Sequence, residues 1–193
     1  MDLSGSALGY LRKERVVSGA EIQVGDVIIG LKSSGMHSNG MTLARKILES
    51  NEVDLDDKFD RLGKTIGMEL LTPTHIYVRD VLNVLDKIKV SGMVDVTGGG
   101  LKNFVRLKKN VQFAITDPME PQPIFEILGE MGAVEPLEMY KTFNMGMGYA
   151  IILPEENVGM ALSLLGEKAK VVGEVVEGTG CSLSPLSLHY ESY

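Results

Sequence analysis

A glycine-bounded segment, residues 30–40, contains the first side chains in this sequence that could bind a ligand. Between its terminal glycines it carries serine, histidine and asparagine. Glycine lets backbone N–H groups approach a ligand closely, and a helix that begins after the segment would offer unpaired amides to an anion. His37 could also transfer a proton, because an unperturbed imidazole titrates near pH ~6.5. The alternative is an ordinary strand-to-helix turn in which Ser38 and Asn39 only cap the helix.

A second segment with ligand-binding character is Asp95-Val96-Thr97-Gly98-Gly99-Gly100. Three successive glycines lose much backbone entropy on folding, so they usually meet a geometric demand such as a tight turn or a nest of amides around phosphate. The acid could orient a substrate amine or a water molecule, and Lys102 and Arg106 would supply positive charge nearby. The alternative is a flexible turn with solvated charges.

A third segment, residues 142–148, holds Asn144, whose amide can donate and accept hydrogen bonds. Packing is the alternative explanation of this segment. We predict that His75, which has no partner acid in the sequence, is structural and that His189 is incidental. The three histidines and one cysteine show no metal-ligand spacing, and neither the Walker phosphate loop nor the dinucleotide fingerprint is present. We therefore predict no metal site.

Strands and helices that alternate along the chain must position these segments. A strand, a glycine loop and a helix follow one another twice, and no break in composition divides residues 1–193, so we predict one domain. The predicted strands cover 27–31, 93–96, 111–115, 147–153 and 170–176, with an opening strand or hairpin over 6–17. The predicted helices cover 41–48, 65–71, 78–88, 101–107, 123–131, 137–143 and 155–165. The tail, residues 179–193, contains Pro185 and is predicted to be an edge strand or a loose arm.

Composition excludes several classes of protein. The chain has 193 residues, 44% of them hydrophobic, and 19 basic against 26 acidic residues give a net charge of −7. These values exclude disorder, collagen and coiled coil, and the negative charge argues against a nucleic-acid partner. Because no apolar run approaches the roughly 20 residues of a membrane span and no secretory signal is visible, we predict a cytoplasmic protein that does not bind membranes.

In their order along the chain, these segments resemble the C-terminal half of the aminoimidazole ribonucleotide synthetase family, the phosphoribosylformylglycinamidine cyclo-ligases of purine biosynthesis. The resemblance covers about residues 2–178. The matching stretches are residues 25–31, 33–35, 37–40, 70–71, 73–74, 76–77, 97–101, 123–125, 138–140, 142–146 and 173–175. Two positions depart from the family pattern: Asp95 stands where the family usually has histidine, and His75 stands where a basic residue often follows Pro-Thr.

The resemblance implies an α+β fold, a mixed β-sheet packed with helices, and an ATP-dependent ring closure of formylglycinamidine ribonucleotide to aminoimidazole ribonucleotide. ATP and magnesium would be bound mainly by an N-terminal domain that this chain lacks, with residues 1–5 as the remnant of the junction. The partners would be a small phosphorylated substrate and that N-terminal domain, in cis or as a separate chain, and the complete protein would be a homodimer. The chain alone would be inactive.

The resemblance also implies roles for individual residues. His37 would be catalytic, partly exposed, and neutral near pH 7 because the positive end of the following helix lowers its pKa. Apart from the resemblance, the run of three glycines after a strand predicts that a Gly99→Val substitution weakens binding of a phosphate-bearing ligand more than it harms the fold. The substrate-binding residues would be Ser33, Ser34, Gly35, Ser38, Asn39, Gly40, Asp95, Thr97, Gly98, Gly99, Gly100 and Asn144.

Two other functions fit the sequence. The chain could belong to another ATP-dependent member of the same superfamily, of the selenophosphate synthetase, hydrogenase-maturation or thiamine-phosphate kinase type, because Asp95 before Thr-Gly-Gly looks closer to some of these. Residues 73–77 and 142–146, in contrast, look like the synthetase alone. The other possibility is a non-catalytic, stand-alone binding module.

Overall fold

A computed structural model describes residues 5–191 of the chain. The strands in this range are β1 (Val27–Lys32), β2 (Lys58–Phe59), β3 (Lys64–Thr65), β4 (Gly92–Asp95), β5 (Gln112–Ile115), β6 (Met147–Leu153), β7 (Ala169–Val176), β8 (Gly180–Leu183) and β9 (Leu188–Tyr190). The α-helices are α1 (Met41–Ser50), α2 (Ile66–Leu70), α3 (Val78–Leu85), α4 (Pro123–Gly132), α5 (Pro136–Thr142) and α6 (Val158–Leu165). Short 3₁₀ helices cover Lys13–Arg15, Gly100–Arg106, Glu155–Asn157, Gly166–Lys168 and Ser184–Leu186.

Within the described residues, seven strands form one sheet in the order β4-β6-β1-β7-β5-β8-β9. Neighbouring strands are antiparallel except β5 and β8, which are parallel. The sheet is therefore mixed, and together with its helices it confirms the predicted α+β class. The hairpin of β2 and β3 stands apart from this sheet.

The order of the strands brings two loops to one end of the sheet. Strand β6 lies between β1 and β4 and is antiparallel to both, so β1 and β4 run in the same direction. Lys32, the last residue of β1, pairs with Met147, while Asp95, the last residue of β4, pairs with Tyr149. The chain therefore leaves both strands beside the start of β6.

Both faces of β1, an interior strand of the sheet, are buried, which explains the apolar run over residues 27–31. Ile28 packs into one core with residues of α1, α2, α4 and α5, whereas Ile29 and Leu31 pack into a second core with residues of α3 and α6. Burial of one such side chain stabilises the fold by about 1.5–3 kcal/mol. The helices thus cover the sheet from two sides.

The predicted strands over 27–31, 93–96, 111–115, 147–153 and 170–176 are confirmed, with ends that differ by at most one residue. The predicted helices are also present, although the segment after Gly99 is 3₁₀ and α3 ends at Leu85. Helix α1 begins without the predicted side-chain cap, because Gly40 takes the N-cap position with a φ of 79°.

The predicted strand or hairpin over residues 6–17 is wrong. Apart from the 3₁₀ turn at Lys13–Arg15, residues 6–17 have no regular structure, and they pair with no strand among the described residues. A strand needs a hydrogen-bonded partner, and local alternation of side chains cannot supply one.

The tail is part of the sheet. Strand β8 pairs with β5, β9 forms the edge, and Pro185 lies in the 3₁₀ helix between them. Cys181, Leu183 and Tyr190 belong to the first core. Most of the predicted junction, residues 1–4, and the last two residues of the chain lie outside the described range. Within residues 5–191, no helix combines the length and apolar character needed to cross a membrane.

Candidate substrate-binding site

Two loops meet where β1 and β4 end: the first loop, residues 33–40, and the second loop, residues 96–99. A Cβ atom built on Gly98 would lie 3.0 Å from Oδ1 of Asn39, so the loops are in contact. Asn103 Nδ2, in the 3₁₀ helix that follows, donates to the Gly98 carbonyl at 3.4 Å and supports the second loop. The sequence-predicted segments thus form one surface.

The start of the first loop is fixed by a residue that the sequence did not indicate, Gln122. The hydroxyl of Ser33 donates to Gln122 Oε1 at 3.1 Å, and Gln122 Nε2 donates to the Ser33 carbonyl at 2.7 Å. The Ser33 N–H donates to the Gly146 carbonyl at 2.8 Å. Ser33 is buried, so it anchors the loop and offers little surface to a ligand. No local pattern could show this pair, because its members lie far apart in the chain.

Asn144 also supports the first loop. Its buried amide donates from Nδ2 to the Gly35 carbonyl at 2.8 Å and accepts the Gly146 N–H on Oδ1 at 3.0 Å. Both ends of the side chain are therefore engaged by backbone. This geometry fits the packing explanation of the third segment better than substrate contact.

Both loops rest on the end of α5 and the residues that follow it. A Cβ on Gly40 would overlap the ring of Phe143, and a Cβ on Gly100 would overlap the carbonyl oxygen of Tyr140. Both glycines also have positive φ, which L side chains rarely adopt. Close approach to a packed platform therefore requires glycine at these two positions.

His37 is buried, with only 8% of its surface exposed, so the predicted partial exposure is wrong. Its Nε2 accepts the Ser34 N–H at 3.1 Å, and a neutral ring must then carry its proton on Nδ1. The Ser34 hydroxyl lies 3.1 Å from the same nitrogen and donates to the Pro73 carbonyl at 2.7 Å. A catalytic role for this histidine stays a prediction.

Burial lowers the pKa of His37, and the nearby charge of His75 lowers it further. The predicted direction of the shift is confirmed, but its main cause is burial and not the end of a helix. The imidazole is therefore neutral near pH 7.

Tyr77, the residue before α3, packs against the sheet beside the first loop. Its hydroxyl donates to the Lys32 carbonyl at 2.9 Å, and its ring stacks on Tyr149 with centroids 5.4 Å apart. A Cβ on Gly148 would overlap this hydroxyl, so the glycine makes room for it. Burial and the charge of Asp95 raise the pKa of Tyr77, so its hydroxyl remains protonated and acts as a donor.

His75 has a partner acid, contrary to the prediction. Its Nε2 lies 3.3 Å from Oδ2 of Asp80, and Lys168 Nζ lies 3.0 Å from both oxygens of the same carboxylate. The partner was missed because the turn before α3, which brings the two residues together, is not evident in the sequence. Lys168 and His75 line a groove of about 290 Å³ beside Ser33 and Ser34.

The predicted substrate-binding residues in and beside the two loops differ in their exposure to solvent. Ser38, Asp95 and Gly98 are exposed, and Ser34, Asn39, Gly40, Thr97 and Gly99 are half-buried. Gly35 and Gly100 are buried and shape the loops from within. Partial burial at the end of β4 raises the pKa of Asp95, and burial, together with the charge of Asp95, raises the pKa of Tyr149.

Among residues 5–191, no group of three or more histidine, cysteine, aspartate or glutamate side chains could hold a metal ion. Two lysines near the second loop have structural contacts. Lys108 Nζ donates to the carbonyls of Ala20 and Ile22. The hydrogen bonds of Lys141 and Thr142 lower the pKa of Glu138, and the charge of Lys102 adds to that effect. The exposed backbone of the two loops is thus the main feature of the site.

Residues 23–184 match the family described as AIR synthase related protein, C-terminal domain. The chain belongs to this family. It is 42% identical to the phosphoribosylformylglycinamidine cyclo-ligase of Thermoplasma volcanium over 100% of the chain and 57% of that protein. It is 47% identical to the cyclo-ligase of Methanopyrus kandleri over 93% of the chain and 52% of that protein. The chain thus spans about half the length of the curated relatives it matches, and the resemblance predicted from the sequence is confirmed.

Two solved structures share the fold. E. coli HypE has a TM-score of 0.57 and 18% identity, with 91% of this chain and 51% of that one covered. T. maritima PurL complexed with FGAR also has a TM-score of 0.57 and 18% identity, and the similarity covers 94% of this chain and 29% of the PurL chain. At such low identity these similarities establish the architecture alone.

Proposed function

We propose that this chain is the C-terminal half of an ATP-dependent phosphoribosylformylglycinamidine cyclo-ligase and supplies part of its substrate site. The observation that carries the proposal is the 47% identity to the Methanopyrus kandleri cyclo-ligase over 93% of this chain. The contact between the two glycine-rich loops supports it, because it joins the exposed amides of both loops into one surface.

The reaction requires activation of a formyl oxygen and closure of a ring. ATP transfers its terminal phosphoryl group to the formyl oxygen of formylglycinamidine ribonucleotide. The ring nitrogen then attacks that carbon, the C–O bond breaks, and phosphate leaves. We assign ATP and magnesium mainly to the half of the relatives that this chain does not match.

The half described here would position the phosphorylated substrate. Ser38 and Gly98 are exposed and Asn39, Thr97 and Gly99 are half-buried, and the backbone amides of these residues would donate to phosphate or to a developing oxyanion. Asp95, at the end of β4, could orient the amidine of the substrate. His37 would donate a hydrogen bond from Nδ1 to the substrate, because its Nε2 already accepts the Ser34 N–H, and through Ser34 it would set the geometry of the first loop.

The test compares three proteins: the chain alone, the unmatched half of the Methanopyrus kandleri relative, and the two halves fused. With formylglycinamidine ribonucleotide and magnesium ATP, we expect release of ADP and formation of aminoimidazole ribonucleotide only by the fusion. An Asn39→Ala fusion should turn over about tenfold more slowly, whereas Asn157→Ala, far from the loops, should not differ from the unsubstituted fusion.

Two results would contradict the proposal. A fusion that folds and binds the ribonucleotide without turnover would favour the non-catalytic binding module. A fusion that consumes ATP with thiamine phosphate or selenide as the acceptor would favour another member of the superfamily. Light scattering on the active fusion would test whether the complete protein is a homodimer, as we also propose.

A further inference from the structure

Helix α3 is amphipathic, and one edge of its apolar side is exposed. Val78 and Leu82 lie one turn apart, and 58% and 51% of their surfaces are exposed, beside the exposed Arg79 and Asn83. Val81 and Val84, on the buried side of the helix, pack into the second core. Side chains four positions apart share one side of a helix, so the two exposed residues form a continuous stripe.

The stripe runs into a groove of about 1020 Å³. Leu82 and Leu85 line it on the helix side, and Tyr10, Leu11 and Val16 line it on the side of the amino-terminal segment. Ion pairs between Arg15 and Asp86 and between Lys89 and Glu21 join charged side chains that line the same groove. Apolar side chains combined with charged ones are the usual composition of a protein–protein interface.

The segment that lines this groove belongs to the relatives but not to their C-terminal domain. The family match begins at residue 23, whereas the match to the Thermoplasma volcanium cyclo-ligase covers the whole chain. Tyr10, whose surface is wholly exposed, therefore lies in a part of the relatives that precedes the C-terminal domain. About half the length of those relatives has no counterpart in this chain.

We infer that the stripe and the groove, which we call the α3 surface, are the docking site for the unmatched half of the cyclo-ligase. This inference rests on the proposed function, because it takes the partner from the cyclo-ligases. The partner would bring an apolar patch that covers Val78, Leu82 and Tyr10, with polar groups placed against the ion pairs. The exposed apolar side chains of α3 would then be buried in the complete enzyme.

The experiment measures binding of the unmatched half of the Methanopyrus kandleri relative, produced as a separate chain, by calorimetric titration. The double variant Val78→Glu, Leu82→Glu should bind at least about tenfold more weakly, because charge would enter a desolvated interface. The matched control is Leu186→Glu. This leucine has a similar exposure, 44%, but lies between β8 and β9 at the opposite edge of the sheet. Equal affinity of the double variant and the control would overturn the inference.

If the two separate chains do not associate, hydrogen exchange in the covalent fusion tests the same inference. In the covalent fusion, hydrogen exchange of the α3 amides should be slower than in the chain alone, and unchanged exchange would overturn the inference. If the fusion turns over substrate but the α3 amides exchange as fast as in the chain alone, the docking site is rejected and the proposed function stands. If the α3 amides are protected but the fusion has no turnover, the docking site stands and the proposed function is rejected. A dimer of the isolated chain that Leu82→Glu dissociates would show that a second copy covers the surface instead.

Discussion

At the scale of single residues, His37 should make the stability of the chain depend on pH. Its folded pKa lies below its unfolded value near ~6.5, so the unfolded chain binds the proton more tightly. The stabilisation is present above about pH 6.5 and is lost as the pH falls toward the folded pKa, by at most about 1.4 kcal/mol per pH unit. Urea unfolding at pH 7.5 and pH 5.5 measures this loss.

Two variants assign that loss to one imidazole. His37→Gln should flatten the dependence between pH 7.5 and pH 5.5, whereas His189→Gln, at an exposed position, should keep it. His37→Ala should lower the free energy of unfolding by about 1–3 kcal/mol, because the imidazole is buried and the half-buried Ser34 N–H loses its acceptor. A cost within the range of surface substitutions, about 0.5 kcal/mol or less, would contradict the buried position.

Gly98, in the second loop, and Gly100, the first residue of the 3₁₀ helix after it, should differ in their tolerance of a methyl group. Gly100→Ala should cost about 3 kcal/mol or more, because the new Cβ would overlap the Tyr140 carbonyl at a φ of 51°. Gly98→Ala meets only the end of the Asn39 side chain at 3.0 Å and should cost less than about 1 kcal/mol. Denaturant unfolding of both variants provides the comparison. Equal costs would mean that the loop does not rest on α5.

At the scale of elements, the tail should be indispensable. Removal of residues 180–193 would expose the edge of β5 and the core positions that Cys181, Leu183 and Tyr190 cover, a loss of about 5 kcal/mol from apolar burial alone. Since a domain is stable by only about 5–15 kcal/mol, the shortened chain should lose its near-ultraviolet circular dichroism at 25 °C. Leu186→Ser, an exposed change in the same segment, should keep the native spectrum. A cooperative melt of the shortened chain would refute this prediction.

The elements that the sequence predicts correctly are those whose pattern is local. The apolar run at 27–31 and the helical spacing from Met41 to Leu48 each reflect burial by neighbours along a regular element. The alternation of apolar and polar side chains over residues 6–17 predicted a strand, but this segment has no strand partner in the described chain. Strand pairing depends on residues far away in the sequence, and local alternation carries no information about them.

The candidate site was predictable to a similar extent. Its glycine loops follow directly from composition, but their contact depends on β6 inserting between β1 and β4. The hydrogen bonds between Gln122 and Ser33 join residues far apart in the chain, and the contact of His75 with Asp80 depends on the turn before α3. Sequence reasoning therefore found the segments that form the site but not the side chains that hold them in place.

At the scale of the whole molecule, Cys181 should report global unfolding. Its thiol is buried between sheet and helices, and burial raises its pKa, so both the access and the thiolate needed for reaction are missing in the native state. Iodoacetamide should therefore label the native chain slowly and the urea-unfolded chain at once. In a Ser38→Cys variant, the exposed thiol should react quickly while Cys181 stays protected. Rapid labelling of the unsubstituted chain would show that β8 opens without global unfolding.

The position of β1 between β6 and β7 has a consequence for the order in which the protein can fold during synthesis. The first of these neighbours, β6, is translated roughly 120 residues later, which at ribosomal speeds of about 5–20 residues per second is a delay of about 6 to 24 s, and β7 follows it. Until then Ile28, Ile29 and Leu31 have no strand to pair with. The nascent chain therefore carries this apolar strand unprotected past the ribosome, where a chaperone that recognises short aliphatic stretches would find a binding site.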